Sequence, residues 1–266
     1  MAWVREEAAF SVLEPPEGIT VPMVAHVPHP SRHIPSDLAS TLLLDRTELE
    51  AELLAMTDAY TDELAADVLD LGGVMFVNGV SRLVVDPERF PDPDRETMEA
   101  VGMGAVYTRT SGGRPLRTPA DRDELLARFF EPYAAAFTGV VDRMLETFGS
   151  CTIVDVHSYP SQPLPYELPP VQPRPSICLG TDPFHTPAPM IERAEAACAE
   201  RGLDTARDVP FAGTYVPLRH YRQDPRVSSL MVEVRRDLYM DEATGARSDF
   251  AAARGHVRAI LEAIRG

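Results

Sequence analysis

Short, wholly apolar segments that alternate with amphipathic segments constrain the fold of this chain most strongly. Runs rich in β-branched residues indicate six buried strands, at residues 20–27, 73–78, 83–86, 152–156, 176–179 and 229–234. Apolar residues at helical spacing indicate four helices, at residues 45–71, 118–148, 186–201 and 248–266. Strands that are apolar on both faces and alternate with helices are typical of a sheet covered on both sides. We therefore predict an α/β fold with a central, mixed and mostly parallel sheet.

The chain shows no internal repeat or long linker, so we expect residues 1–266 to form a single domain. A proline-rich stretch at residues 159–175 directly follows one predicted strand and precedes another. This placement favours an ordered active-site loop over a linker between domains.

The formal net charge of −16 restricts the partners of this chain. Such a field repels phosphate backbones and anionic lipid surfaces, so we expect neither a nucleic-acid partner nor a membrane partner. No apolar run approaches the ~18 residues of a membrane span. The N-terminal residues lack the basic-then-apolar order of a secretory signal. We expect a cytoplasmic protein that acts on a small molecule.

The first predicted strand runs into two histidines, His26 and His29. Ligands of open α/β sheets bind beyond the carboxyl ends of the strands, which is where His29 lies. Positions three apart in a strand face opposite sides, so the two histidines are not expected to share one metal ion. His29 is the better candidate ligand. The histidines of such a segment are, however, more often surface or packing residues than metal ligands.

The predicted strand at residues 152–156 contains Asp155 and leads into His157. A carboxylate inside an apolar strand is costly unless it is paired, and orienting a histidine is a common reason to keep one there. Positions two apart face the same side of a strand, so Asp155 can support His157 as a metal ligand. The alternative is an aspartate satisfied by backbone donors beside an incidental histidine.

Glu233 lies in the middle of the last predicted strand. A carboxylate in that position has a raised pKa or a nearby cation, and both suit a general base. An ion pair with an arginine is the alternative. Together with His29 and His157, Glu233 completes the parts of a zinc hydrolase.

Acidic and basic residues elsewhere offer weaker candidates. Asp58 and Asp62 are four apart on one face of the first predicted helix, where acids are usually solvated. Asp58 could turn inwards as a third metal ligand, and Asp62 and Glu63 remain alternatives. Two arginines bracket the strand predicted at residues 83–86, and guanidinium groups suit a substrate carboxylate as well as a surface ion pair.

These residues belong to a series of short motifs along residues 22–242. The motifs are Val-Pro-His29-Pro-Ser, Thr-Asp58, Ser-Arg82-x-x-x-Asp86-x-x-Arg89, Asp155-x-His157-Ser158, Gly213-x-Tyr215 and Glu233-x-x-x-x-Leu-Tyr239-Met240. The series resembles the N-formylglutamate amidohydrolase family. The resemblance implies the three-layer α/β/α sandwich of the related zinc carboxypeptidases, a phosphorylase/hydrolase-like fold, as one catalytic domain.

The resemblance also implies roles for individual residues. One zinc ion, or another divalent metal, would be bound by His29, Asp58 and His157, and Glu233 would be the general base. Asp155 would support the site from behind. The substrate would be contacted by Arg82 or Arg89, at its oxyanion or its carboxylate, and by Ser158, Tyr215 and Arg219. The activity implied is hydrolysis of a linear amide C–N bond in an N-acyl amino acid with a free carboxylate, such as N-formyl-L-glutamate.

The sequence departs from the family pattern at three positions. Pro30 follows His29 where the family usually has serine, Glu88 replaces an asparagine, and Ala134 replaces a histidine. A carboxylate at residue 88 would change a pocket meant for an acidic substrate. Two alternatives stay open: a metallopeptidase or deacylase with another substrate or metal, and a non-catalytic relative that binds acidic acyl amino acids.

Overall fold

Seven strands and eight α-helices make up the part of the chain that this computed structural model describes, residues 9–118, 122–167 and 169–265. The strands are β1 (Phe10–Leu13), β2 (Met23–Val27), β3 (Val74–Asn78), β4 (Cys151–Tyr159), β5 (Ile177–Gly180), β6 (Thr205–Arg207) and β7 (Val227–Arg235). The α-helices are α1 (Ser36–Ala39), α2 (Arg46–Met56), α3 (Thr61–Ala65), α4 (Asp67–Asp70), α5 (Arg122–Leu125), α6 (Glu131–Phe148), α7 (Ala188–Glu200) and α8 (Phe250–Ile264). Shorter 3-10 helices span Thr97–Val101 and Arg236–Leu238, and a π-helical stretch, Leu126–Phe130, joins α5 to α6.

All seven strands belong to one sheet with the order β1-β3-β2-β4-β7-β5-β6. The four central strands β3, β2, β4 and β7 run parallel to one another. At the edges, β1 is antiparallel to β3, and β5 is antiparallel to β7 but parallel to β6. Every residue of β2 and β3 is buried, as expected of strands covered on both faces. The predicted mixed, mostly parallel sheet is confirmed.

Helices cover both faces of the sheet and complete the three layers. On one face, α6 packs its apolar stripe, which includes Phe137 and Val141, against alternate residues of β2, β3 and β4. On the other face, α3, α4, α7 and α8 pack against the intervening residues of the same strands and of β5 and β7. No helix of the described residues has the length and apolar character that a membrane crossing requires.

Five of the six predicted strands are confirmed, and the one at residues 83–86 is wrong. Its apolar residues Leu83, Val84 and Val85 are buried, but they pack in two apolar clusters beside the sheet instead of pairing with one of its strands. An apolar run of this length does not distinguish a strand from a buried loop. The edge strands β1 and β6 escape prediction because they are short and largely half-exposed.

The helix predicted at residues 45–71 is wrong in one respect that matters for the site. The chain leaves the helix at Thr57, which is extended, and Tyr60 adopts a left-handed conformation with φ of 66° before α3 begins. Asp58 therefore lies in a break between helices, where its backbone N–H donates to the carbonyl of His29 at 2.9 Å. The break separates Asp58 from Asp62, which remains on a helix.

The other three predicted helices correspond to observed ones. The second, predicted at residues 118–148, is interrupted by the π-helical stretch just before Pro132, and residues 119–121 near its predicted start lie outside the described residues. The helices predicted at residues 186–201 and 248–266 are α7 and α8, and the predicted end at residue 266 also lies outside the described residues.

Candidate metal and catalytic site

The carboxyl ends of three adjacent parallel strands bring the predicted site residues to one cavity of about 450 Å³. His29 follows β2 by two residues, and His157 and Glu233 are register partners on β4 and β7. Parallel neighbours end at the same edge of a sheet, so residues that are far apart in sequence line the same cavity there.

Three potential ligand atoms converge at this edge. The Nδ1 atoms of His29 and His157 are 3.2 Å apart. Asp58 Oδ2 lies 3.1 Å from the Nδ1 of His157 and 3.5 Å from the Nδ1 of His29. Ligands of a tetrahedral zinc ion with metal–ligand distances near 2.0–2.1 Å are about 3.4 Å apart. The three atoms thus have the spacing of one face of such a tetrahedron, and these residues fit a zinc ion.

Carboxylates lie behind both histidines. His29 Nε2 is hydrogen-bonded to Asp86 Oδ1 at 2.9 Å, and this bond, with the proton on Nε2, leaves the Nδ1 lone pair free for a metal. His157 Nε2 lies 3.1 Å from Asp155 Oδ1 but is not aligned for a hydrogen bond. Asp155 Oδ1 is also 2.8 Å from His26 Nδ1. Asp86 therefore orients His29 through a hydrogen bond, whereas Asp155 lies within ion-pair distance of His157.

Asp58 is held in place by an arginine that the sequence analysis missed. Arg236 Nη2 donates to Asp58 Oδ1 at 2.9 Å, which leaves Oδ2 directed at the two histidines. Although burial raises the pKa of Asp58, hydrogen bonds with His157 and His29 bring it well below its usual range. The sequence could have indicated Arg236 by its position at the carboxyl end of β7, because ligands of such sheets bind at that edge.

The two alternatives to Asp58 lie elsewhere. Asp62 is not among the residues that line the cavity, and Glu63 forms an ion pair with Arg247 on the surface. Their placement follows from the helix break, which turns α3 away from the cavity.

Glu233 lines the cavity with a carboxylate that lacks hydrogen bonds from the described residues. Its side chain is buried, with 8% of the residue exposed, and Oε2 has no hydrogen-bond partner among the described residues. Burial raises the pKa of Glu233 to about 7. No ion pair of Glu233 with an arginine is found within the described part of the chain. The carboxylate is therefore available as a proton acceptor.

Both predicted arginines line the cavity, but they are engaged to different degrees. Arg82 donates to Asp86 Oδ2 through Nη2 at 2.7 Å and through Nε at 3.2 Å. Arg89 is held more loosely: its Nε lies 3.6 Å from Asp86 Oδ2 and has no hydrogen-bond partner among the described residues. Of the two, Arg89 has the more exposed side chain, at 28% against 14% for Arg82.

Ser158 and Tyr215 also line the cavity, whereas Arg219 does not. The backbone N–H of Tyr215 donates to Asp155 Oδ2 at 3.0 Å. The side chain of Arg219 is 69% exposed and pairs with Asp142 on α6, away from the cavity that the other predicted substrate contacts line. A turn that begins at Pro217 directs Arg219 outwards, despite its closeness in sequence to Tyr215.

Glu88 lies among the site histidines. Its Oε1 is 3.3 Å from His157 Nε2 and 3.6 Å from His26 Nδ1, and its Oε2 is 3.6 Å from His29 Nε2. Glu88 could therefore form a second ligand set with His29 and His157. We favour the set with Asp58, because its three atoms are closer together and His29 Nε2 is already bonded to Asp86.

Comparison with known proteins gives consistent matches over most of the chain. A family model described as N-formylglutamate amidohydrolase matches residues 21–240. An N-formylglutamate deformylase of Pseudomonas putida is 26% identical over 231 residues, which cover 84% of this chain and 83% of that protein.

Two solved structures share the fold. An N-formylglutamate amidohydrolase from Ralstonia eutropha JMP134 has a TM-score of 0.81 at 24% identity, over 97% of this chain and 96% of that one. A gene product from Agrobacterium tumefaciens has a TM-score of 0.67 at 16% identity, with the same coverage of 97% and 96%.

Proposed function

We propose, from the premise that this chain belongs to the N-formylglutamate amidohydrolase family, that it is a metal-dependent hydrolase of N-acyl amino acids. It hydrolyses an amide bond, and the acyl group removed is a formyl group or a similarly small one. The observation that carries this proposal is the convergence of His29 Nδ1, His157 Nδ1 and Asp58 Oδ2 beside the free carboxylate of Glu233.

The metal ion would be held by His29, Asp58 and His157, and zinc suits their nitrogen and oxygen donors. When bound, such an ion polarises a carbonyl oxygen and lowers the pKa of water towards neutrality. Asp86 orients His29, Asp155 lies within ion-pair distance of His157, and Arg236 orients the carboxylate of Asp58.

Glu233 is the proton carrier in this proposal. Its carboxylate, which lines the cavity, accepts a proton from the attacking water and then delivers it to the nitrogen of the departing amine. Arg89 binds a substrate oxygen, because its guanidinium lines the cavity and its side chain is 28% exposed. Ser158 and Tyr215 line the wall of the cavity and restrict how the substrate lies.

Glu233→Gln tests the proton transfer. The amide cannot accept the proton, so we expect turnover of N-formyl amino acids to fall by about 10²–10⁴-fold while metal content stays unchanged. Turnover is measured by release of formate, and metal content by elemental analysis of the purified chain. Glu50→Gln, at an exposed position on α2, makes the same change of charge and should have wild-type activity. Wild-type turnover by Glu233→Gln would refute the role of Glu233.

A further inference from the structure

Two of the four arginines that line the cavity are already neutralised. Arg82 is bonded to Asp86, and Arg236 is bonded to Asp58. Each of these carboxylates is buried, so each ion pair is fixed in place. A substrate carboxylate that approached either arginine would compete with a partner already in contact.

The other two arginines are available. Arg95 lies with its guanidinium 4.4 Å from the centre of the Phe90 ring and forms no ion pair within the described residues. Arg89 forms two longer ion pairs, in which its Nε is 3.6 Å from Asp86 Oδ2 and its Nη1 is 4.0 Å from Glu96 Oε1. Because Arg89 is shared with these carboxylates, the two arginines together offer about one uncompensated positive charge to a substrate carboxylate.

Glu88 places negative charge in the same cavity without a neutralising arginine. Its side chain is 16% exposed, and its close charged neighbours among the described residues are His26, His29 and His157. Its buried Oε1 accepts no hydrogen bond from the described residues. A second substrate carboxylate would meet this charge where solvent screens it poorly.

The remaining wall of the cavity is largely apolar. It offers contact surface for an uncharged side chain, provided by Met98, Leu164, Tyr166, Phe211 and Tyr221. The volume of about 450 Å³ leaves room for a side chain larger than that of glycine or alanine.

We infer that the preferred substrate is a monoanionic N-acyl amino acid, whose one carboxylate pairs with Arg95 and Arg89 and whose side chain is uncharged. Glu88 excludes a second carboxylate, so N-formyl-L-glutamate is a poorer substrate than its uncharged analogues. This inference rests on the proposed function and names the substrate class of the same site.

The wild-type chain loaded with zinc tests the inference with two substrates of nearly identical shape. N-formyl-L-glutamine and N-formyl-L-glutamate differ by one charge, so the ratio of their kcat/KM values isolates the effect of that charge. We expect the glutamine compound to be favoured at least about tenfold, because like charges in a poorly solvated site repel strongly. Equal rates, or a preference for the glutamate compound, would overturn the inference.

Two variants test whether the preference for the uncharged side chain depends on Glu88 and whether Arg95 binds the substrate carboxylate. Glu88→Gln should reduce the preference to about threefold or less. Arg95→Gln should raise KM for N-formyl-L-glutamine but not for its C-terminal amide, which has no carboxylate. Glu50→Gln is the charge-matched control and should keep the wild-type ratio. A full preference in Glu88→Gln, or an unchanged KM in Arg95→Gln, would contradict the assignment.

Binding to the Glu233→Gln chain, measured by calorimetry, separates this inference from the proposed function. If the wild-type chain hydrolyses neither compound but Glu233→Gln binds the glutamine compound more tightly, the proposed function fails and the inference about charge stands. If the wild-type chain hydrolyses both and Glu233→Gln binds the glutamate compound more tightly, the inference fails and the proposed function stands.

Discussion

Asp58 shows how the environment of one carboxylate separates it from its neighbours in sequence. Its two oxygens have different partners: Oδ1 accepts from Arg236, and Oδ2 faces the Nδ1 atoms of the two histidines. Asp62, four residues later, has neither contact. The amino-acid types are the same, so the difference in expected role comes entirely from position.

A matched pair of variants tests this difference. We expect Asp58→Asn to lose most of its bound zinc, because the amide carries no charge and is a weak zinc ligand. Asp62→Asn should retain a stoichiometry near one ion per chain. Elemental analysis after dialysis against a weak chelator measures both. Retention of zinc by Asp58→Asn together with its loss in Glu88→Gln would favour the alternative ligand set that contains Glu88.

At the scale of elements, the break between α2 and α3 is what delivers Asp58 to the site. A helix continued through residues 57–60 would keep Asp58 in the helical hydrogen-bond pattern, whereas its N–H donates to the carbonyl of His29. Tyr60 supports the break, because its hydroxyl donates to the carbonyl of Gly245 at 2.8 Å. The helical period continues across these residues in sequence, so periodicity alone predicts one long helix.

The start of α2 carries a capping box whose contribution is measurable. The side chain of Asp45 accepts the N–H of Glu48 at 2.9 Å, and the carboxylate of Glu48 accepts the N–H of Asp45 at 3.0 Å. Asp45→Ala should lower the free energy of unfolding by about 1 kcal/mol, since it leaves the Glu48 N–H without its cap. Urea unfolding measures the change, with Glu50→Gln as the control in the same helix. A loss of zinc from Asp45→Ala would show that the effect is not confined to the cap.

At the scale of the whole molecule, the proposed metal site ties three separate parts of the fold together. Its candidate ligands come from the segment after β2, from the break between α2 and α3, and from β4. The same edge concentrates the buried carboxylates of Asp58, Asp86 and Asp155. A bound cation would join these three parts.

Metal removal should therefore destabilise the fold. We expect the zinc-loaded chain to have a Tm several degrees above that of the chelated chain, because a ligand that binds only the folded state stabilises it by mass action. Differential scanning calorimetry with and without chelator measures the shift. Asp58→Asn should show little shift under the same conditions. An identical Tm for loaded and chelated wild-type chain would argue against the site.

The sequence by itself determined the strands and helices whose pattern is strong. Residues apolar on both faces predicted the five long or central strands, and a charged side chain inside such a strand singled out Asp155 and Glu233. This succeeds because an unpaired carboxylate in an apolar strand is costly wherever the strand packs. Family resemblance turned Asp58 and Arg82 from weaker candidates into expected site residues.

Tertiary structure alone decided which polar groups meet. It gave Asp58 its place beside His29 and His157, assigned Arg236 and Asp86 their supporting contacts, put Glu88 among the histidines and left Arg219 on the surface. These outcomes depend on contacts between residues far apart in the chain, which the strand order and the helix break create. Local periodicity reports burial and direction, but it holds no information about distances between segments.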